Sequence, residues 1–130
     1  MICMNYSIQL VDDPQIIQVT TSGVWDPNVD GAMGIEVMEK VNEWKVGRVL
    51  IDMRDLQFNL PVINLFQRAK NLSQQRREFQ HVSSKVALLF NSTDRKMDES
   101  LAFFETTAQN RGLPYRVFKQ LESALEWLAK

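Results

Sequence analysis

Two polar clusters mark where this chain could do chemistry. Asp52, Arg54 and Asp55 stand at the end of the apolar run Val49-Leu50-Ile51, and Asn91, Ser92 and Asp94 follow the apolar run Val86-Ala87-Leu88-Leu89-Phe90. If both runs are strands, adjacent and parallel, the clusters lie just beyond their carboxyl ends, where ligands of open α/β sheets usually bind. Two carboxylates and a guanidinium would hold a polar ligand there, and one carboxylate with a raised pKa would act as a general base. The plainer reading has Asp52, Asn91, Ser92 and Asp94 capping helices or closing turns while Arg54 pairs with Asp55, and these residue types at these places favour it.

Other chemistries have less to stand on. His81 is the one histidine, and although Ser83 and Ser84 follow it, no Gly-x-Ser-x-Gly nucleophile turn is present, so a loop histidine is the expected reading. Cys3 is the one cysteine and has no basic neighbour to lower its pKa, which leaves it inert and excludes an internal disulfide or a clustered zinc site. Gly23, Gly31, Gly34, Gly47 and Gly112 are too dispersed for a phosphate-cradling loop, so no nucleotide or other cofactor is expected. Arg68, Lys70, Arg76, Arg77 and Lys85 lack interleaved aromatics and have Glu78 among them, the pattern of a solvated helix face. With a net charge of -1, the chain has no electrostatic footprint for nucleic acid. The aromatic and Met content is a separate hint. Phe103 and Phe104 are adjacent and cannot both point inward on one helix, and Trp127 falls beside an apolar stripe, so Phe103 and Trp127 are candidate partner contacts beside the ordinary reading of core and boundary packing.

The elements that must position these residues follow from periodicity. Tyr6, Ile8 and Leu10 alternate with polar residues, and so do Ile17, Val19 and Thr21, with Asp12-Asp13-Pro14-Gln15 between, which predicts an antiparallel hairpin closed at Gly23. Asp26-Pro27 starts a helix bearing Val29, Met33, Val37, Val41 and Trp44, expected to end at Gly47. The run Val49-Leu50-Ile51, closed by Asp52, is a strand covered on both faces. A helix is expected from near Pro61, with Phe66, Ala69 and Leu72 inward. The strand Val86–Phe90 leads to a helix with Met97, Leu101, Phe104 and Ala108 inward, stopped by Arg111-Gly112-Leu113-Pro114. A short strand over residues 115–118 precedes a last helix with Leu121, Ala124, Leu125 and Leu128 on its apolar face.

The expected fold is thus α/β: one domain over residues 1–130, a mixed β-sheet with an N-terminal antiparallel hairpin and parallel strands, flanked by four helices in the order ββαβαβαβα. At 130 residues one core suffices. No basic region followed by an apolar run opens the chain, and no apolar stretch approaches the ~18 residues of a spanning helix, so a cytoplasmic protein without integral membrane association is expected.

The chain resembles the SpoIIAA-like branch of the STAS (sulfate transporter and anti-sigma-factor antagonist) fold, over essentially its whole length as element order and in residue motifs chiefly in its C-terminal third. The residues that carry the resemblance are Val86-Ala87-Leu88-Leu89-Phe90, Phe103-Phe104-Glu105, Ala108, Arg111-Gly112, Val117-Phe118 and Ala124-Leu125-Glu126-Trp127-Leu128. It implies a mixed sheet flanked by helices, a bacterial cytoplasmic setting and no known catalysis. In the anti-sigma antagonists an Asp-ended strand is followed by Asp-Ser-Ser-Gly at a helix start, where a serine is phosphorylated. Here the stretch from Asp52 to Pro61 holds neither serine nor threonine, so that phospho-switch is expected to be absent. The function expected is a non-enzymatic regulatory or protein-interaction module, working through a helix face and in one form as a homodimer. The alternatives are a binder of a small apolar or amphipathic ligand and, third, an enzyme built on Asp52, Arg54 and Asp55.

Overall fold

The computed structural model describes residues 3–12, 15–58, 83–91 and 95–130. The helix expected from near Pro61, the basic strip apart from Lys85, and His81, Ser92 and Asp94 lie outside the described residues.

The chain order is β1 (Asn5–Val11), β2 (Ile16–Val24), α1 (Pro27–Trp44), β3 (Arg48–Gln57), β4 (Lys85–Leu89), α2 (Arg95–Asn110), β5 (Tyr115–Phe118) and α3 (Leu121–Ala129). These form one five-stranded sheet in the order β1-β2-β3-β4-β5. The β1–β2 pair is antiparallel, with Ile8 opposite Val19, and the other pairs are parallel. The expected mixed sheet is thus the observed one, with three helices among the described residues.

Alternation along the central strands sorts their side chains into two layers. Val86 and Leu88 of β4 join Val49, Ile51 and Met53 of β3 in the core under α1 and α2. Ala87 and Leu89 point the other way, into a second core with Ile16, Leu50 and the α3 residues Ala124 and Leu128. A parallel strand buried on both faces reads as a continuous apolar run, which is why β4 is legible in the sequence.

Local chemistry sets the helix ends. The Asp26 Oδ1 accepts the Asn28 N–H at 2.8 Å, with Pro27 at the first helical position. Past α2, Gly112 takes φ 75°. Its N–H donates to the Gln109 carbonyl at 3.0 Å, and the Leu113 N–H donates to the Ala108 carbonyl at 3.0 Å. This is the paired bonding of a Schellman stop, with Leu113 buried behind it.

Four expectations need correction. The strand expected to close at Asp52 continues to Gln57, because β2 pairs with it as far as Val24. Gly23 does not end the hairpin but lies inside β2 at φ 97°, opposite Leu56. At the end of α1 the left-handed residue is Lys45, at φ 56°, while Gly47 lies against the chain at Ser84, whose N–H donates to the Gly47 carbonyl at 2.7 Å. A Cβ at Gly47 would sit 2.9 Å from Ser84 Oγ, so close approach explains this glycine. In α3 only Ala124 and Leu128 are buried. Leu125 is half-buried and Leu121 is exposed, so this nine-residue helix buries only a narrow stripe against the sheet.

Candidate functional site

The polar end of β3 is built around a bulge. Thr20 lies opposite Asp52, but Ser22 lies opposite Asp55, so β3 spends one residue more than β2 over this stretch. An extra residue interrupts the ladder and leaves a carbonyl in need of a partner. The buried Thr21 supplies it: its Oγ1 donates to the Asp52 carbonyl at 2.8 Å.

Asp52 in turn is closed on Arg54. Its Oδ1 accepts the Arg54 backbone N–H at 3.1 Å and Nε–H at 2.9 Å, and its Oδ2 accepts from Nη2 at 2.8 Å. Both carboxylate oxygens are therefore engaged in a bidentate, charge-assisted pair. These hydrogen bonds from Arg54 hold the carboxyl below the usual carboxylate range, outweighing its partial burial, and the Arg54 guanidinium is pushed up by the same contact. An anion held this firmly is a poor general base, since such a base needs a pKa near the working pH.

The expected pairing of Arg54 with Asp55 is thereby corrected to Arg54 with Asp52. Neighbouring strand residues point to opposite faces, whereas residues two apart share one, and Asp52 is inside the strand rather than beyond it. Asn91 is exposed just past β4, and Asp52 lies opposite Leu89 near that strand's end.

The remaining candidates lie elsewhere. Phe103 is on α2, 45% exposed. Trp127 is half-buried on α3, its ring 5.6 Å from that of Phe118. Lys85 holds it at the opposite end of β4 from Asp52, with Nζ 2.9 Å from the Trp127 carbonyl and 5.3 Å from the ring centroid. Phe103 and Trp127 are thus separate features rather than parts of the Asp52 cluster.

One arrangement escaped sequence reasoning. Trp25, Phe58 and Phe90 each follow a strand of the parallel sheet, and their rings form a row, 6.4 Å from Trp25 to Phe58 and 5.6 Å from Phe58 to Phe90. Among the described residues the buried Trp25 indole N–H has no hydrogen-bond partner. Strand ends in register across a sheet could have signalled it, but only once β3 was known to reach Gln57.

No protein-family model and no curated protein matches the sequence. Among solved structures, the chain is similar to an anti-sigma factor antagonist from Mycobacterium paratuberculosis, with TM-score 0.56 and 13% identity, covering 97% of this chain and 96% of that one. It is also similar to a DUF3478-family protein with a SpoIIAA-like fold from Shewanella loihica PV-4, with TM-score 0.58 and 15% identity, covering 98% and 95% of the two chains. The fold is therefore SpoIIAA-like, as the C-terminal motifs implied. Among the described residues, no helix is long and apolar enough to cross a membrane.

Proposed function

We propose that this chain is a cytoplasmic, non-enzymatic regulatory module that acts by binding another protein at the polar end of β3, without a phospho-switch there. The observation that carries this reading is the state of Asp52: with both oxygens taken by Arg54, it supplies a fixed charge pattern rather than a reactive group. Arg54 and Asp55 stand exposed beside it, with Asn91 past the next strand. An exposed charge pattern steers and registers a partner more than it adds affinity. Likeness to an anti-sigma factor antagonist agrees with a protein partner.

The test is site-specific photocrosslinking in the protein's own cell. A crosslinker placed at the exposed Thr20, opposite Asp52, is expected to trap one defined protein, and Arg54→Glu is expected to abolish the adduct. Absence of an adduct at Thr20 and at Asn91 would contradict the reading. Intact-mass analysis of the same material is expected to show no phosphate. A stoichiometric phosphate on Ser22, the residue opposite Asp55, would restore a switch and overturn that part.

A second reading rests on the ring row. The Trp25 indole N–H, without a partner among the described residues and beside Phe58 and Phe90, is suited to a small amphipathic ligand that offers an acceptor to the N–H and an apolar body to the rings. Native mass spectrometry of the purified chain is then expected to show a bound small molecule, lost in Trp25→Phe.

A further inference from the structure

The two edges of the sheet are treated differently. At β5 the Phe90 N–H donates to the Phe118 carbonyl and the Val86 N–H to the Pro114 carbonyl, so Pro114, Arg116 and Phe118 face β4 while Tyr115 and Val117 turn their backbone groups outward. Side chains of α2 take both kinds of outward group. Glu105 Oε2 accepts the Val117 N–H at 2.6 Å, and Gln109 Nε2 donates to the Tyr115 carbonyl at 3.3 Å. Glu105 and Gln109 are one helical turn apart, so a single face of α2 staples the edge. The strand is also short and carries Arg116. This edge is closed to further pairing.

At β1 these devices are missing among the described residues. Its seven residues, Asn5-Tyr6-Ser7-Ile8-Gln9-Leu10-Val11, include no charge, no proline and no glycine. The direction of its free groups follows from β2. The Trp25 N–H donates to the Gln57 carbonyl of β3, so odd-numbered β2 residues bond toward β3 and even-numbered ones toward β1. The unbroken register with β1 then sets Asn5, Ser7, Gln9 and Val11 against β2 and turns the N–H and C=O of Tyr6, Ile8 and Leu10 outward. The side chains of Tyr6 and Ile8 pack against the α1 core, while Leu10 on the same face stays 38% exposed.

We propose that β1 is a self-association edge, at which two copies of this chain pair their β1 strands antiparallel about a twofold axis through Ile8. Residues of like face can meet across such an axis only in even registers, and the register centred on Ile8 is the one that pairs all seven residues. Ile8 lies opposite Ile8, Tyr6 opposite Leu10 of the second copy, and Ser7 opposite Gln9 of the second copy. Each copy contributes the outward donors of Tyr6, Ile8 and Leu10, and the apolar face of one sheet continues into the other, covering Leu10. The strand is therefore its own complement in hydrogen bonding, face and charge, which selects a second copy over a charged partner. One strand pair is a contact at the low end of specific interfaces, so the dimer is a concentration-dependent one.

Sedimentation of the full chain from about 1 µM to about 1 mM, the range in which a contact of this size dissociates, tests the proposal. The parent is expected to move from the 15.1 kDa monomer to twice that mass. The double variant Ser7→Lys/Gln9→Lys changes two exposed positions and sets like charges opposite each other twice, so its association constant is expected to fall at least about tenfold with an unchanged melting temperature. Mixing it with Ser7→Glu/Gln9→Glu is expected to restore a mixed dimer, because the pairs then carry opposite charge. A parent that stays monomeric throughout, or a lysine variant that dimerises as the parent does, overturns the proposal.

Discussion

Arg54 serves two masters at the end of β3: it neutralises a half-buried carboxylate and presents a cation to solvent. The pair lies near the surface, with the Arg54 side chain 42% exposed, so solvent screens much of its attraction. Arg54→Ala is accordingly expected to cost about 0–1 kcal/mol at pH 7. The pH dependence has a definite sign. The Asp52 pKa is lowered in the folded chain by Arg54. Its stabilisation is therefore fully present above the ordinary carboxylate pKa of about 3.9 and is lost as pH falls through the lower folded value. Thermal melts of parent and variant are expected to differ at neutral pH and to converge in acid. A gap that widens in acid would mean that Asp52 is held by something other than Arg54. The pairing itself was not legible in the sequence. Asp52-Met53-Arg54-Asp55 offers the arginine two carboxylates, and only the strand conformation, with its period of two and its bulge against Thr21, selects the farther one in sequence.

Elements whose signals are local read well from the chain, and those set by tertiary contacts do not. The double-faced burial of β4, the Asp26-Pro27 cap and the Arg111-Gly112-Leu113-Pro114 stop each depend on residues within one turn or one strand. By contrast, the length of β3 is set by its neighbour β2, and the stripe of α3 by its contact with the sheet beneath it. Leu128 is fully buried with Ala124 against Leu50, Ala87 and Leu89, whereas Leu125 is at the margin. Leu128→Ala is expected to cost about 2–5 kcal/mol as a large-to-small core change, and Leu125→Ala about 1 kcal/mol as a boundary change. Denaturant melts rank the two, and equal costs would contradict the docking of α3. At the end of α1, Lys45 is the left-handed residue. A non-glycine residue in the left-handed region is strained, so Lys45→Gly is expected to raise stability by about 0.5–1 kcal/mol, read as a higher melting temperature. The element pattern pointed to Gly47 instead, because the contact that requires a glycine there comes from Ser84 across the fold.

For the molecule as a whole, the sheet is a platform with helices on both faces. Among the described residues, one edge is stapled by α2, the other carries no such device, and a charged corner stands on the third strand. The fold class, the hairpin and the parallel pairing of β3 with β4 were legible because alternation and apolar runs encode which faces are buried. The charged corner was legible as a set of residues but not as a state, since the protonation of Asp52 depends on distances that no spacing reveals. The role of this corner turns on that state: a carboxylate locked as an anion suits a recognition surface, and one with a raised pKa suits a catalyst. Titration of the Asp52 side-chain carboxyl by NMR is the direct measurement. The Arg54 contact predicts a pKa below that of an ordinary aspartate in the parent, and a rise in Arg54→Ala, where partial burial is no longer outweighed by the guanidinium. A value in the parent above the ordinary one would contradict it and return Asp52 to the role of a general base.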